Sequence, residues 1–512
     1  MPDPRFSIVI PTRERPHTLE HTLTTCQAQQ GAEFEIVVSD NFSGPTTREL
    51  VERRADPRIR YVRTPSLLAM TDSLEFAVSH ARGEYVLIQG DDDGLLRHAL
   101  KVIDEVITST NTRLLRWESA VYNWPDVNNS YFQANTLLLP LTQTRTGHAL
   151  RVCNARAMIQ AAANGHVAYS DLPVIYNAVI HRDLLKKLRS KTGRVFKTRT
   201  PDVHAAFALA ALVDEYHSLR APLGICGRSG ASTGVARHFS KKGSAIDNDF
   251  RRLNSAAGLE LHPWVPDLPP IPSAVADAFL WAKNDLFRRD HELVLDRKRL
   301  IRNCIMEMEI DSADEWREVQ ASCRHALTDS PELLAWFEQE YGARDFKSLD
   351  RINRTHNWKH YGEGYLHLNT AEFGVRTVED VANLCERVLG YQQDGLVFRE
   401  EKNEIAATSL SELQEKEALI QRLHGLGQQL LAENEMLRQA AEARLNLLEL
   451  QGRQIELLDK AVVVRDSQLE AQLREIERQK QGIESLTRMV NRSFLSRLAR
   501  FSRRMLKRLV HR

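Results

Sequence analysis

GEYVLIQGDDDGLL, residues 83–96, contains a short apolar run followed directly by three adjacent aspartates. Tyr85–Ile88 is rich in residues that favour β-structure and lies between two glycines, which predicts a buried strand. Asp91, Asp92 and Asp93 would then lie at the carboxyl end of that strand, where open α/β sheets bind ligands. Adjacent carboxylates repel one another, and their hard oxygen atoms suit Mg²⁺ or Mn²⁺. A solvated acidic turn is the alternative interpretation.

Strands and helices alternate around this stretch along the first 90 residues. The pattern predicts strands at Phe6–Ile10, Phe34–Val38 and Arg60–Arg63, and helices at 17–30, 46–55 and 70–82. Such alternation is typical of a doubly wound sheet whose strands are joined by right-handed crossovers. We therefore predict an α/β fold with a mostly parallel sheet.

Length and composition limit the classes of protein that the chain can represent. Its 512 residues are enough for two to four domains, and its net charge of +1 argues against a protein that coats nucleic acid. The six cysteines are scattered and include no CxxC pair, which fits reduced intracellular thiols better than disulfides or a zinc site. The amino terminus leads almost directly into a strand, and no run of 18 apolar residues occurs. We therefore expect a cytoplasmic location without a signal peptide or a membrane span.

Three motifs in this order and spacing resemble the family 2 glycosyltransferases of the GT-A fold. They are SIVIPTRER at 7–15, EIVVSDNFSGPT at 35–46 and ARGEYVLIQGDDDGLL at 81–96. The resemblance covers about the first 240 residues and is specific only because all three motifs occur together. It implies transfer of a sugar from a nucleotide diphosphate sugar, with Mn²⁺ or Mg²⁺ as cofactor and inversion at the anomeric carbon. A nucleotidyltransferase of related fold and a non-catalytic scaffold are the alternatives.

The resemblance assigns roles to residues that follow the first two strands. Pro11, Thr12 and Arg13 match the family's nucleotide-binding turn. Asp40 matches the acidic residue that accepts a hydrogen bond from the nucleotide base. A helix N-cap or an Asx turn is the alternative role for Asp40.

The acidic run matches the family's DxD element, with one departure. Many members carry Asp-x-Asp-Asp after the strand, whereas Gly90 takes the first position here. Either Asp91 or Asp92 would therefore face the donor ribose. Asp93 is the predicted metal ligand, together with Asp91.

A Gly/Ser-rich stretch at 224–234 is followed by basic residues and predicts a loop. Its glycines would permit close backbone approach, and the cations would suit a diphosphate leaving group. His238 is a further candidate metal ligand, because imidazole binds ions of the Mn²⁺ type. A flexible basic loop without a ligand is the alternative.

Thr200-Pro201-Asp202 precedes an alanine-rich stretch, which predicts a helix that begins at Pro201. An acid at that position stabilises the helix dipole, and this is one interpretation of Asp202. The family places its catalytic base at a matching x-Asp position before a helix. The resemblance therefore implies that Asp202 takes the proton from the acceptor hydroxyl group.

Three aromatic residues, Trp117, Tyr122 and Trp124, follow the acidic run. We predict that they pack in the core, and stacking on a sugar ring is the alternative. Residues 246–400 have mostly helical patterns and no motif that indicates chemistry. The predicted domains are therefore a GT-A domain at 1–245 and a helical accessory region at 246–400.

The remaining residues predict an assembly and a docking segment. Apolar heptads from 413 to 490 favour a parallel two-stranded coiled coil at 401–487, and hence a homodimer, with a single long helix as the alternative. Residues 488–512 contain nine Lys or Arg and no acid, and their apolar residues share one helical face. This pattern predicts a helix on an anionic membrane surface, with RNA binding as the alternative. Membrane docking in turn suggests a glycan or lipid-linked acceptor.

Overall fold

The computed structural model describes residues 3–128, 131–140, 148–239, 244–349, 365–389, 398–402, 472, 474–475 and 477–481. Residues 1–409 and 410–512 are two separate compact units. In the second unit the described residues are helical. The predicted coiled coil lies largely outside the described residues, and the predicted basic helix at 488–512 lies entirely outside them. Among the helices described, none has the length and apolar character needed to cross a bilayer.

The amino-terminal part alternates strands and helices as the sequence predicts. Its elements are β1 (Phe6–Thr12), α1 (Pro16–Gln27), β2 (Phe34–Asp40), α2 (Pro45–Arg53), β3 (Ile59–Arg63), α3 (Met70–Ser79), β4 (Tyr85–Ile88), β5 (Gly94–Leu95) and α4 (Ala99–Thr110). Strand β4 has the predicted bounds and is buried along its whole length.

The rest of the first unit adds further strands and a group of helices. In chain order they are β6 (Leu114–Asn123), β7 (Thr136–Pro140), β8 (His148–Asn154), α5 (Ala155–Ala163), β9 (Ala178–His181), α6 (Arg182–Thr192), α7 (Pro201–Ala210), β10 (Glu215–Arg228), α8 (Thr233–Phe239), α9 (Ala245–Ala256), α10 (Ile271–Leu286), α11 (Arg297–Met306), α12 (Ala313–Ala326), α13 (Pro331–Phe337), β11 (Tyr365–Asn369), α14 (Val378–Leu389) and β12 (Phe398–Lys402). The mostly helical pattern predicted for 246–400 is present in α9 to α14, with β11 and β12 added to it.

The strands form one mixed sheet with the order β12-β8-β10-β6-β9-β4-β1-β2-β3, to which β5, β7 and β11 are added at the side. Strands β4, β1, β2 and β3 are parallel. Strand β9 is antiparallel to both β4 and β6, and β10 is parallel to β6 but antiparallel to β8. The prediction of a mostly parallel sheet is therefore wrong beyond β4. An apolar run predicts a strand but not its direction, and β9 follows two short 3₁₀ turns instead of a crossover helix.

Helices cover both faces of the parallel part, because alternate residues of each strand point to opposite sides. Ile8 and Ile10 of β1 pack in the core that contains α1, α2 and α4. Val9, between them, packs in the core that contains α3, α7 and α10. The doubly wound arrangement is therefore present, and the carboxyl ends of β1 and β4 lie between its two helical layers.

Helix α7 lies at the centre of the larger core and almost all of its residues are buried. Small alanine side chains let neighbouring elements approach on every side of it. Phe207 packs edge-on against Phe279 of α10, with ring centroids 5.6 Å apart. Residues of the predicted accessory region therefore share a core with the helix that carries Asp202.

The three aromatic residues after the acidic run are buried, with Trp117 1 %, Tyr122 0 % and Trp124 5 % exposed. The prediction that they pack in the core is confirmed. Trp124 also donates a hydrogen bond from Nε1 to the carbonyl oxygen of Asp92, at 2.9 Å. This contact fixes the backbone of the acidic run against β6.

The burial of His204 in α7 predicts how the stability of the fold depends on pH. Its side chain is fully buried, and neither ring nitrogen has a hydrogen-bond partner among the described residues. Burial lowers its pKa to about 3, whereas an unfolded histidine titrates near about 6.5. As the pH falls below the higher value, only the unfolded chain takes up this proton, so the free energy of unfolding should fall by up to about 1.4 kcal/mol per pH unit.

Urea denaturation of His204→Leu between pH 7 and pH 4 tests this prediction. The variant should lose less stability than the wild type over that range, while His17→Leu, which changes an exposed histidine, should follow the wild type. Parallel curves for the wild type and His204→Leu would contradict the prediction.

Candidate active site

Asp91 is held by residues of the turn between β1 and α1. Thr12 donates a hydrogen bond from Oγ1 to Asp91 Oδ2 at 2.7 Å. Arg15 donates from Nη1 to Asp91 Oδ1 at 2.9 Å. Arg15 also donates from Nη2 to the carbonyl oxygen of Ala231. The first motif of the chain therefore holds the acidic run and the segment after β10 together.

Asp92 and Asp93 turn toward the end of β10. Ser229 donates both its hydroxyl, at 2.6 Å, and its backbone N–H, at 3.2 Å, to Asp92 Oδ2. The backbone N–H of Gly227 donates to Asp93 Oδ1 at 2.7 Å, and that of Gly90 donates to Asp93 Oδ2 at 3.0 Å. The three carboxylates thus lie next to one another in the chain but face different partners.

The acidic run is buried, with its three aspartates only 4–7 % exposed. Burial raises the pKa of Asp92 and of Asp93, and the charge of the neighbouring aspartates raises both further. Burial lowers the pKa of Arg15, but the carboxylates of Asp91 and Asp92 raise it more, so its net shift is upward. Among the described residues, the guanidinium group of Arg15 donates a hydrogen bond to the acidic run. Ionisation of all three acids would leave an excess of negative charge.

The predicted metal ligands do not form a cluster in this structure. Among the described residues, no group of three or more His, Cys, Asp or Glu is placed to hold a metal. Both oxygens of Asp93 accept backbone N–H groups. His238 lies on α8, and its Nδ1 is 2.6 Å from the carbonyl oxygen of Pro269. The set of Asp91, Asp93 and His238 is therefore not assembled, because each side chain contacts a different element.

The nucleotide-binding residues implied by the resemblance lie at the ends of β1 and β2. Arg13 forms an ion pair with Asp249 of α9 at 2.7 Å. Asp40 is fully buried and accepts from the hydroxyl of Tyr61 at 2.5 Å. The backbone N–H of Ser43, three residues on, donates to Asp40 at 2.9 Å, which is a contact of the turn that the alternative role predicts. Its contact with a nucleotide base stays a prediction.

Asp202 lies in the first turn of α7, which begins at Pro201 as predicted. Burial raises the pKa of its carboxyl group. The segment before the helix is held by Thr71 of α3, whose Oγ1 donates to the carbonyl oxygen of Thr198 at 2.7 Å. The raised pKa of Asp202 is closer to the range in which a carboxylate acts as a general base.

Tyr176 connects Asp202 with the acidic run, and the sequence did not indicate it. It lies in the 3₁₀ turn Ile175–Asn177, which packs against β4, β6 and α7. Burial is the largest cause of the raised pKa of its phenol. The charges of Asp202 and of the three aspartates of the run raise that pKa further. The phenol is thus within electrostatic range of all four carboxylates. No motif surrounds this tyrosine, and only the folded chain places it here.

The predicted loop at 224–234 is mostly regular structure. Gly224–Arg228 completes β10, and α8 begins at Thr233. A Cβ atom on Gly227 would lie 1.7 Å from the carbonyl oxygen of Asp92, which is far closer than two atoms can approach. This glycine therefore lets β10 pass directly against the acidic run.

Gly227→Ala should distort the acidic run, because either β10 or the backbone of Asp92 has to move. We expect the variant to lose stability by an amount typical of overpacking, about 1–3 kcal/mol, and to lose nucleotide binding as well. Gly234→Ala is the matched control, since the nearest atom to its added Cβ would be 4.0 Å away. Urea denaturation and calorimetric titration with UDP and GDP measure both effects. A Gly227→Ala protein as stable as the control would contradict the close approach.

Comparison with known proteins places these motifs in a family. Residues 7–146 match the family described as Glycosyl transferase family 2. The chain is 31% identical over 103 residues to the GalNAc(5)-diNAcBac-PP-undecaprenol beta-1,3-glucosyltransferase of Campylobacter jejuni. That alignment covers 20% of this chain and 33% of the relative, so the chain spans about a third of the relative's length.

Solved structures of low sequence identity also align with the chain. One is S. aureus TarS 1-349 in complex with UDP-GlcNAc, with 16% identity, a TM-score of 0.37 and coverage of 70% of this chain and 92% of that chain. Another is the mannosyltransferase PcManGT from Pyrobaculum calidifontis in complex with GDP-Man and Mn2+, with 16% identity, a TM-score of 0.34 and coverage of 77% and 90%. The family match alone gives the assignment, and residues 7–146 contain a glycosyltransferase domain of family 2.

Proposed function

We propose that this chain transfers a sugar from a nucleotide diphosphate sugar to a hydroxyl group of an acceptor, with inversion at the anomeric carbon. The observation that carries the proposal is the position of Tyr176. It lies in a turn that packs against β4, which precedes the acidic run, and against α7, which carries Asp202, and the charges of all four aspartates raise the pKa of its phenol. Donor and acceptor would meet between these two sets of carboxylates, of which the acidic run lies within the family 2 domain at 7–146.

The donor diphosphate would lie at the carboxyl ends of β1 and β4. Carboxylate oxygens are the ligands that Mg²⁺ and Mn²⁺ prefer, and the run has more acids than the one guanidinium of Arg15 balances. We propose that Asp93, together with Asp91 or Asp92, would hold such a cation. The cation, when bound, supplies positive charge that offsets the charge of the leaving nucleotide diphosphate. Pro11, Thr12, Arg13 and Asp40 would contact the nucleotide.

Asp202 would accept the proton of the attacking hydroxyl group. Burial raises the pKa of its carboxyl group, which brings its basicity closer to that required at neutral pH. The carboxylate is the active form, so turnover should rise with pH through this raised pKa.

The acceptor is proposed to be a glycan or a lipid-linked sugar. The name of the Campylobacter relative describes an undecaprenol diphosphate acceptor, which supports this class. The basic and apolar composition of 488–512 supports docking on the cytoplasmic face of an anionic membrane. The heptads at 413–490 support a parallel homodimer that presents two such segments to one surface.

Replacement of Asp202 tests the proposed base. Asp202→Asn should lower kcat by roughly 10²–10⁴-fold with little change in the KM for the donor, because the amide cannot take up the proton. Asp183→Asn is the matched control, since Asp183 is also a first-turn acid but lies on α6. The measurement is release of nucleoside diphosphate from a panel of nucleotide sugars with Mn²⁺ and polyprenyl diphosphate sugars as acceptors.

Three results of these measurements would count against the proposed function. Normal kcat with a raised donor KM would make Asp202 a binding residue. Release of pyrophosphate would indicate a nucleotidyltransferase. Absence of turnover with every donor would favour a non-catalytic scaffold.

Metal removal provides a second test. Protein treated with EDTA should bind UDP or GDP more weakly than protein supplied with Mn²⁺, because the excess negative charge of the run repels the diphosphate. Asp93→Asn should reduce the gain that Mn²⁺ gives. Nucleotide affinity that does not respond to Mn²⁺ in the wild type would contradict the metal proposal.

A further inference from the structure

Four charged side chains form a second cluster on the sheet, outside the acidic run. Arg116 and Glu118 lie on β6, Arg220 lies on β10, and Asp171 lies in the short turn Tyr169–Asp171. Arg220 Nε is 3.6 Å from Glu118 Oε1, and Arg116 Nη1 is 3.7 Å from Asp171 Oδ1. We refer to these four residues as the β6–β10 cluster. It contains two cations and two anions, so its formal charge is balanced.

An irregularity in the sheet gives the cluster its shape. Strands β6 and β10 are parallel, but their register shifts between Leu219 and Pro222, opposite Glu118. Bulges of this kind redirect side chains and are frequent next to active sites. Here Leu219 and Ala221 are fully buried, whereas the side chain of Arg220 between them is 41% exposed. The bulge therefore presents a guanidinium group beside the partly exposed carboxylate of Glu118.

The cluster has hydrogen-bonding capacity that its own members do not use. Arg116 is 7 % exposed and donates from Nη1 to Ser218 Oγ at 2.8 Å. Its buried Nε has no hydrogen-bond partner among the described residues, and neither has the buried Oδ1 of Asn177. The two ion pairs, at 3.6 and 3.7 Å, are longer than a hydrogen bond. The partly exposed side chains of Arg220, Glu118 and Asp171 can therefore form hydrogen bonds with a polar ligand.

One hydrogen bond joins the cluster to the candidate active site. Asn177 donates from Nδ2 to the carbonyl oxygen of Trp117 at 3.1 Å. Trp117 lies between Arg116 and Glu118, and Asn177 directly follows Tyr176. The turn that carries Tyr176 is therefore fastened to the strand that carries the cluster.

We propose that the β6–β10 cluster is an acceptor subsite that binds a neutral sugar unit through its hydroxyl groups. A hydroxyl group both donates and accepts hydrogen bonds, so one sugar can satisfy a carboxylate and a guanidinium together. A balanced cluster gives no net attraction to an anionic ligand, whereas it offers both kinds of partner to a neutral one. The inference rests on the proposed function, because it names the acceptor side of the same reaction.

Saturation-transfer NMR with full-length protein tests the subsite directly. The probes are methyl glycosides of glucose, galactose, N-acetylglucosamine and N-acetylgalactosamine. At least one should bind the wild type, and Glu118→Gln and Arg220→Ala should each weaken that binding by roughly 10-fold or more, as expected for lost hydrogen bonds to charged groups. Arg113→Ala is the matched control, because Arg113 forms an ion pair of similar length, 3.8 Å, with Asp183 and is also partly exposed. Thermal denaturation shows whether each variant is folded.

The outcomes separate this inference from the proposed function. Donor hydrolysis without acceptor reports on the acidic run, and it should be unchanged in Glu118→Gln and Arg220→Ala. Loss of glycoside binding in these variants supports the subsite even if no donor is turned over. Failure of all four glycosides to bind, or equal binding by the wild type and both folded variants, would overturn it. So would binding of inorganic pyrophosphate that disappears in Arg220→Ala, because the ligand would then be an anion.

Discussion

The burial of three adjacent carboxylates at the end of β4 is the constraint on which the rest of the first unit depends. Removing ionised groups from water is costly unless hydrogen bonds and opposite charges replace the lost hydration. The chain supplies these partners from distant elements: Thr12 and Arg15 after β1, and Gly227 and Ser229 at the end of β10. The amino-terminal turn and the last long strand are therefore held to the same short run.

The mixed sheet brings these distant elements to the acidic run. Strand β10 runs parallel to β6, and its end passes close enough to Asp92 that only glycine fits at 227. The antiparallel β9 lies between β4 and β6. The turn before β9 packs against both of these strands and against α7. Tyr176 in that turn consequently lies near both the acidic run and Asp202.

The local parts of this structure follow from the sequence. Apolar runs, glycines and Pro201 are short-range signals, and they predicted β4 and the start of α7. The contacts that build the site are long-range: Arg15 and Asp91 are 76 residues apart, and Gly227 and Asp93 are 134 apart. Strand direction, the bulge at Arg220 and the position of Tyr176 depend on such pairings. A single sequence contains no periodic signal for them, so they were not predicted.

The acidic run and Asp202 have different consequences for the chemistry. The acidic run combines raised pKa values with one hydrogen-bonded guanidinium, so it favours any ligand that brings positive charge. Burial raises the pKa of Asp202, which makes its carboxylate a stronger base. Tyr176 lies near both, and its phenol, whose pKa is raised further by burial, is neutral at neutral pH and adds no charge. The fold therefore provides one region that attracts cations and another that accepts a proton, with a neutral hydroxyl group near both.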